Sequence, residues 1–162
     1  MGIIKVIFLD FDGVIKIRRS TTGRYYPNNR LSPICVKEFN RIIAETGSNI
    51  VISSNWRSTK DKTERLIRSW GIVGNMMGIT PIIANKSNNT SNSTLSFASR
   101  GEEIRKWFEL QALKGNPFSR YKFVIIDDED DMGEFKPYLV QCHFNYALTK
   151  ELADKVISKL IE

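Results

Sequence analysis

The sequence predicts a three-layer α/β/α fold, a mainly parallel sheet packed between helices. Two observations predict it. Short apolar runs rich in β-branched residues, at 3–9, 49–53 and 121–126, alternate with segments of helical period. Such alternation argues for parallel strands joined by helical crossovers. The chain has 162 residues, which suits one domain, 1–162, with one full core and neither linker nor repeat.

Each element has a local reason. Residues 3–9 (IIKVIFL) form a buried strand that ends at Asp10. Residues 14–31 are basic and Tyr-rich, broken by Gly23 and Pro27, and read as a loop or short hairpin flap. Ser32 then caps a helix with Pro33 in its first position; Ile34, Phe39, Ile42 and Ile43 form its apolar face and Gly47 stops it. Residues 49–53 are the second strand, and 59–70 a second helix with Leu66, Ile67 and Trp70 inward and Gly71 as its stop. A short strand is expected near 77–80. Residues 85–99 (NKSNNTSNSTLSFAS) are polar and of low complexity, and are expected as a mobile surface loop. A third helix, 101–113, has Ile104, Trp107, Phe108 and Leu113 inward. Strand 121–126 runs into five consecutive acids, a short strand follows at 139–142, and helix 149–161 closes the chain with Leu152, Val156, Ile157 and Leu160 on one stripe.

Composition narrows the function classes. Hydrophobic residues at 41% and charged residues at 26% exclude a disordered or fibrous chain. No apolar run approaches the ~20 residues of a membrane helix, so no membrane partner is expected. The first apolar run ends in Asp10 with no cleavage site behind it, so no signal peptide is expected. Cys35 and Cys142 form neither a disulfide framework nor a metal pattern, and read as buried apolar residues in a reducing, cytoplasmic compartment. The net charge of +6 hides an asymmetry: residues 127–131 are all acidic, so the rest of the chain carries +11. An acidic cluster in a basic chain suggests a cation site facing an anionic substrate.

In parallel sheets ligands bind outside the carboxyl ends of the strands. That rule selects Asp10 and Asp12 after the first strand, Ser53, Ser54 and Asn55 after the second, and Asp127 and Asp128 after the fourth. Four carboxylates in one pocket repel one another and stay ionised only around a hard divalent cation. Magnesium suits the set, because it takes carboxylates, water and a phosphate oxygen. The Ser53 hydroxyl and nearby basic side chains would complement the rest of a phosphate.

These residues resemble the motifs of the haloacid dehalogenase-like (HAD) hydrolase superfamily. Asp10-Phe11-Asp12-Gly13-Val14 resembles its first motif, Ser53 after Ile50-Val51-Ile52 its second, and Asp127-Asp128 after Phe123-Val124-Ile125-Ile126 its fourth. Ser53-Ser54-Asn55-Trp56-Arg57, Arg100-Gly101-Glu102-Glu103-Ile104 with Trp107, and Asp127 to Met132 are similar to the HAD branch named for Swiss Army Knife RNA repair proteins. The resemblance implies a Rossmann-like fold with a minimal cap and a magnesium-dependent phosphatase. It makes Asp10 the nucleophile that forms an aspartyl-phosphate and Asp12 the general acid and base, with its backbone carbonyl on the metal. It gives Ser53 and the Ser54 N–H to phosphate oxygens, and Asp127 and Asp128 to the metal, directly or through water. Its third motif is a Lys or Arg, here Arg100, with Lys86 as the alternative. Dehalogenase members lack the second Asp, so Asp12 favours a phosphatase.

Neighbouring residues complete the expectation. Gly13 supplies a tight turn beside the site. Asn55 is a candidate substrate contact, Arg57 is a candidate contact to a substrate phosphate or a partner of the acidic run, and Trp56 reads as core ahead of a substrate platform. Asp131 is a candidate supporting acid, whereas His143, the only histidine, has no part in the chemistry. The basic stretch with Tyr25 and Tyr26 suits a nucleic-acid strand as well as a merely soluble loop. A phosphorylated substrate, with a nucleic-acid or nucleotide end among the candidates, is therefore expected. The rival readings are a nucleic-acid-binding module with a non-catalytic metal and a small-metabolite phosphatase. No partner protein or oligomeric state follows.

Overall fold

The computed structural model describes residues 2–19, 25–86 and 95–162. Its centre is a five-stranded sheet, in chain order β1 (Ile4–Leu9), β4 (Asn49–Ile52), β5 (Met76–Ile79), β8 (Tyr121–Asp127) and β9 (Leu139–Gln141). The spatial order is β5-β4-β1-β8-β9, and every neighbouring pair is parallel. Two antiparallel pairs stand outside it: β2 (Lys16–Arg19) with β3 (Tyr25–Leu31), and β6 (Ala84–Lys86) with β7 (Leu95–Phe97). The flap is thus a hairpin. The ends of the segment expected as a loop at 85–99 pair as strands, with Asn85 opposite Ser96; residues 87–94 lie outside the described residues.

Parallel strands are buried on both faces, which is why they read as unbroken apolar runs. Ile7, Leu9, Ile50, Ile52, Val124 and Ile126 point to one face. There they meet three helices, α1 (Pro33–Thr46), α2 (Lys60–Ser69) and α4 (Lys150–Ile161), through Phe39, Ile42, Ile67, Val156 and Leu160. Val6, Phe8, Val51, Phe123 and Ile125 point to the other face, covered by α3 (Arg100–Leu113) through Ile104, Trp107 and Phe108. The Phe8 ring lies edge-on to Trp107 and Phe123, with centroids 5.3 and 5.8 Å away, a favourable aromatic geometry. Cys35 and Cys142 are free and buried, as expected.

Two expected core residues lie outside. Ile34 is 72% exposed and Leu113 85% exposed. Helical phase explains both. Ile34 stands four and seven residues before Glu38 and Arg41, on the charged face of α1, whereas Cys35, Val36, Phe39, Ile42 and Ile43 make the buried stripe. Leu113 shares a face with Glu109, Lys106 and Glu102, opposite Ile104.

The caps that matter to the site are those of α3. Ser99 and Glu102 form a reciprocal capping box. The acidic loop is tied to the same helix end: the Arg100 N–H donates to Asp131 Oδ2 at 3.1 Å and the Gly101 N–H to the Asp131 carbonyl at 3.0 Å. A Cβ on Gly101 would sit 2.3 Å from the Met132 carbonyl oxygen, so only glycine allows this approach. Asp131 is therefore a positioning residue that holds Arg100 against the acidic loop.

Candidate active site

The registers Leu9↔Ile52 and Leu9↔Ile126 place Asp10, Ser53 and Asp127 side by side at the carboxyl ends of three adjacent strands, Asp10 and Ser53 just past β1 and β4 and Asp127 as the last residue of β8. The Asp10 N–H donates to the Ile126 carbonyl at 3.1 Å and the Ser53 N–H to the Leu9 carbonyl at 3.0 Å, which fixes both residues to the sheet edge. Asp10, Ser53, Ser54, Arg100 and Asp127 are all buried.

Asp10, Asp127 and Asp128 each offer a carboxylate oxygen within 4.8 Å of the others. Burial pushes the Asp10 carboxyl up to about 6 against the pull of Arg100. Burial, then the Asp10 charge, pushes Asp127 up to about 8. Three converging carboxylate oxygens fit a hard divalent cation. Asp10, Asp127 and Asp128 would hold it and Asp12 contributes no side-chain oxygen to the triad.

Arg100 reaches back from the first turn of α3. Its Nε lies 3.1 Å from Asp127 Oδ2 and its Nη2 3.7 Å from Asp10 Oδ1. Its Nη1 and the Ser53 Oγ are buried without a hydrogen-bond partner. Buried polar atoms of this kind need partners, and a bound oxyanion would supply them. Arg100 thus lies against both Asp10 and Asp127 with one donor group unused. Lys86, the alternative, has its backbone in β6, and its side chain lies outside the described residues.

Arg57 has a different position from the one expected. Its guanidinium donates to the carbonyls of Thr80 (2.8 Å), Ser53 (3.3 Å), Ser54 (2.7 Å) and Pro81 (3.1 Å), and to Glu103. A guanidinium has five N–H groups, and these acceptors take them all. Arg57 therefore staples the loop after β4 to β5 and α3, and has no donor left for substrate. Ser54 accepts the Trp56 N–H on its Oγ at 3.2 Å and is fully buried. Asn55 is exposed and, with Arg100, Asp131, Glu103, Arg57 and Phe97, lines a cavity of about 550 Å³ beside the carboxylates.

Trp56 is not core. It is 48% exposed, and its indole N–H donates to Asp12 Oδ2 at 2.7 Å. The buried Lys16 places its ammonium 3.9 Å from the centroid of the Trp56 ring and 5.1 Å from that of Trp70. The cation–π attraction fixes the indole on that side. Nothing in the local sequence announces a contact between residues 44 positions apart; the one available signal was a tryptophan directly after a strand-end loop.

Gly13 adopts φ 77°, and a Cβ there would lie 2.3 Å from Asp128 Oδ2 and 2.6 Å from its Cγ. The turn and the missing side chain together make room for the Asp128 carboxylate. Gly13→Ala is expected to strain the backbone by about 1–3 kcal/mol and to displace Asp128. Magnesium titration by calorimetry should then show affinity lowered at least tenfold; wild-type affinity would contradict this packing. His143 is exposed and stacks on Phe144 at 4.6 Å beyond β9.

The family model for the HAD domain in Swiss Army Knife RNA repair proteins matches residues 6–153. The chain belongs to this family. No curated protein matches it. HAD membership, with the parallel sheet and the aspartate cluster at its carboxyl edge, points to a phosphatase-type hydrolase, and HAD domains generally use magnesium. Among the described residues, no helix of this HAD domain is long and apolar enough to cross a membrane.

Proposed function

We propose that this HAD domain is a magnesium-dependent phosphomonoesterase acting through an aspartyl-phosphate on phosphorylated nucleic-acid ends. The observation that carries the reading is the Asp10 carboxylate beside Asp127, Asp128 and Arg100, with a second acid, Asp12, two residues on.

A bound magnesium ion would neutralise the carboxylates and the phosphate and so let anion meet anion. The chain's own residues do the rest. An Asp10 carboxylate oxygen attacks phosphorus, and the bond from phosphorus to the ester oxygen breaks. Asp12, protonated, gives its proton to the departing oxygen. Ser53 Oγ and Arg100 Nη1 donate to the equatorial oxygens as charge is redistributed. Asp12, now a carboxylate, takes a proton from water; the water oxygen attacks phosphorus, and Asp10 leaves as carboxylate with orthophosphate released. The RNA repair context of the family and the +11 charge outside the acidic run support a nucleic-acid substrate.

The test is leaving-group dependence. Phosphate release from alkyl and acyl phosphates would be measured with and without magnesium, for wild type and Asp12→Asn. The expected result is magnesium-dependent release, with Asp12→Asn losing about 10²–10⁴-fold on the alkyl ester and much less on the acyl phosphate, whose leaving group needs no proton. No release from the folded, magnesium-loaded protein, or an equal loss on both substrates, overturns the reading. Nucleic-acid ends and sugar phosphates are then compared for the substrate class.

A further inference from the structure

Trp56 has an arrangement that phosphoryl transfer alone does not require. One face of its ring lies over the Lys16 ammonium, which is itself buried against Trp70. The residue is nevertheless 48% exposed. With Lys16 against one face, that exposure falls on the opposite face and the edges. Its ring nitrogen is bonded to Asp12, the residue that protonates the departing oxygen. The half-exposed indole is therefore tied to the residue that would serve the leaving group in the proposed reaction.

We propose that Trp56 is a stacking platform for the base of a nucleoside leaving group, an inference that rests on the phosphatase reading above. The Lys16 ammonium holds the indole in one orientation, so little freedom is lost when a ring stacks on it. The indole N–H bond to Asp12 makes Trp56 a positioning residue as well, since it ties the general acid to the surface on which the leaving group lies. A base is favoured over an isolated apolar ring by the charge of the chain that follows Asp12 in sequence. Residues 14–30 contain Lys16, Arg18, Arg19, Arg24 and Arg30 with no acid, and β2 begins at Lys16 itself. A nucleic-acid strand has a ring to stack and further phosphates to meet that charge.

The experiment uses short oligonucleotides ending in a phosphate, at either the 3′ or the 5′ end. Each is paired with a twin whose terminal nucleotide is abasic. The ratio of kcat/KM for the base-bearing and abasic forms is measured for wild type, Trp56→Phe and Trp56→Ala. Acetyl phosphate, which has no ring and needs no proton, is turned over by wild type as the check on the underlying chemistry. The expected wild-type ratio is about five- to a hundredfold, the usual worth of one base stacked on an aromatic side chain, at whichever end the enzyme accepts. Trp56→Ala should bring it close to one, and Trp56→Phe should keep most of it. Phe lacks the N–H, so its rate on an alkyl ester should fall more than its rate on acetyl phosphate. A ratio near one in wild type, or a ratio unchanged in Trp56→Ala, with magnesium-dependent turnover of acetyl phosphate intact, overturns the platform and leaves the phosphatase reading standing. Absence of that turnover in wild type overturns both.

Discussion

Asp10→Asn is expected to lose about 10⁴–10⁶-fold in phosphate release, the scale on which removal of a covalent nucleophile is felt. The same variant should be more stable than wild type in alkaline, magnesium-free solution. The carboxyl titrates near 6 in the folded chain, against 3.8 for the unperturbed group, because burial outweighs the attraction of Arg100. Between those values the folded chain binds more protons than the unfolded chain, so stability falls as pH rises through the window. The amide does not titrate and escapes that loss. Thermal melts at pH 8 with a chelator should therefore place the Asp10→Asn midpoint above that of wild type, while activity with magnesium is gone. An inactive variant that melts lower would mean that the substitution damaged the fold rather than the chemistry.

The strand-end residues were legible in the sequence because each follows a run of β-branched residues that belongs in a doubly covered parallel sheet. Asp10, Ser53 and Asp127 are 43 and 74 residues apart in sequence, and adjacent registers bring them together. What sequence left open was side-chain direction. Arg57 and Arg100 look alike as basic residues near motif positions, yet one spends its donors on four loop carbonyls and Glu103 while the other leaves Nη1 unpartnered at the site. Only the path of the chain after β5, which puts Thr80 and Pro81 beside Arg57, decides between them. The direction of Trp56 was hidden for the same reason, because its partners, Asp12 and Lys16, belong to the segment after β1, the strand next to β4. Asp131 was a candidate supporting acid in the sequence; what it supports became clear because Gly101 lets the loop reach the first turn of α3. Helix phase, by contrast, was in the sequence: the positions of Glu38, Arg41 and Glu109 already set Ile34 and Leu113 on the wrong faces.

The second large effect is the pH-dependent response to magnesium. Asp127 titrates near 8 in the metal-free fold, raised first by burial and then by Asp10. By the same sign, its contribution favours folding below the unfolded value and is lost progressively as pH rises toward 8. Metal-free protein should therefore melt lower at pH 8 than at pH 5. A divalent cation reverses the cost, because it takes the place of the proton between the carboxylates. At a magnesium concentration one hundred times Kd the gain is about 2.7 kcal/mol, or roughly 5–10 °C for a chain of this size. The gain should shrink toward pH 5, where protons compete for the same oxygens, and binding at pH 7 should release protons that calorimetry in buffers of different ionisation enthalpy can count. Asp127→Asn should lose both the magnesium response and most of the pH slope. Equal stabilisation by magnesium at pH 5 and pH 8, with no proton release, would place the ion away from Asp127. It would also require another explanation for why three carboxylate oxygens converge at the carboxyl edge of this sheet.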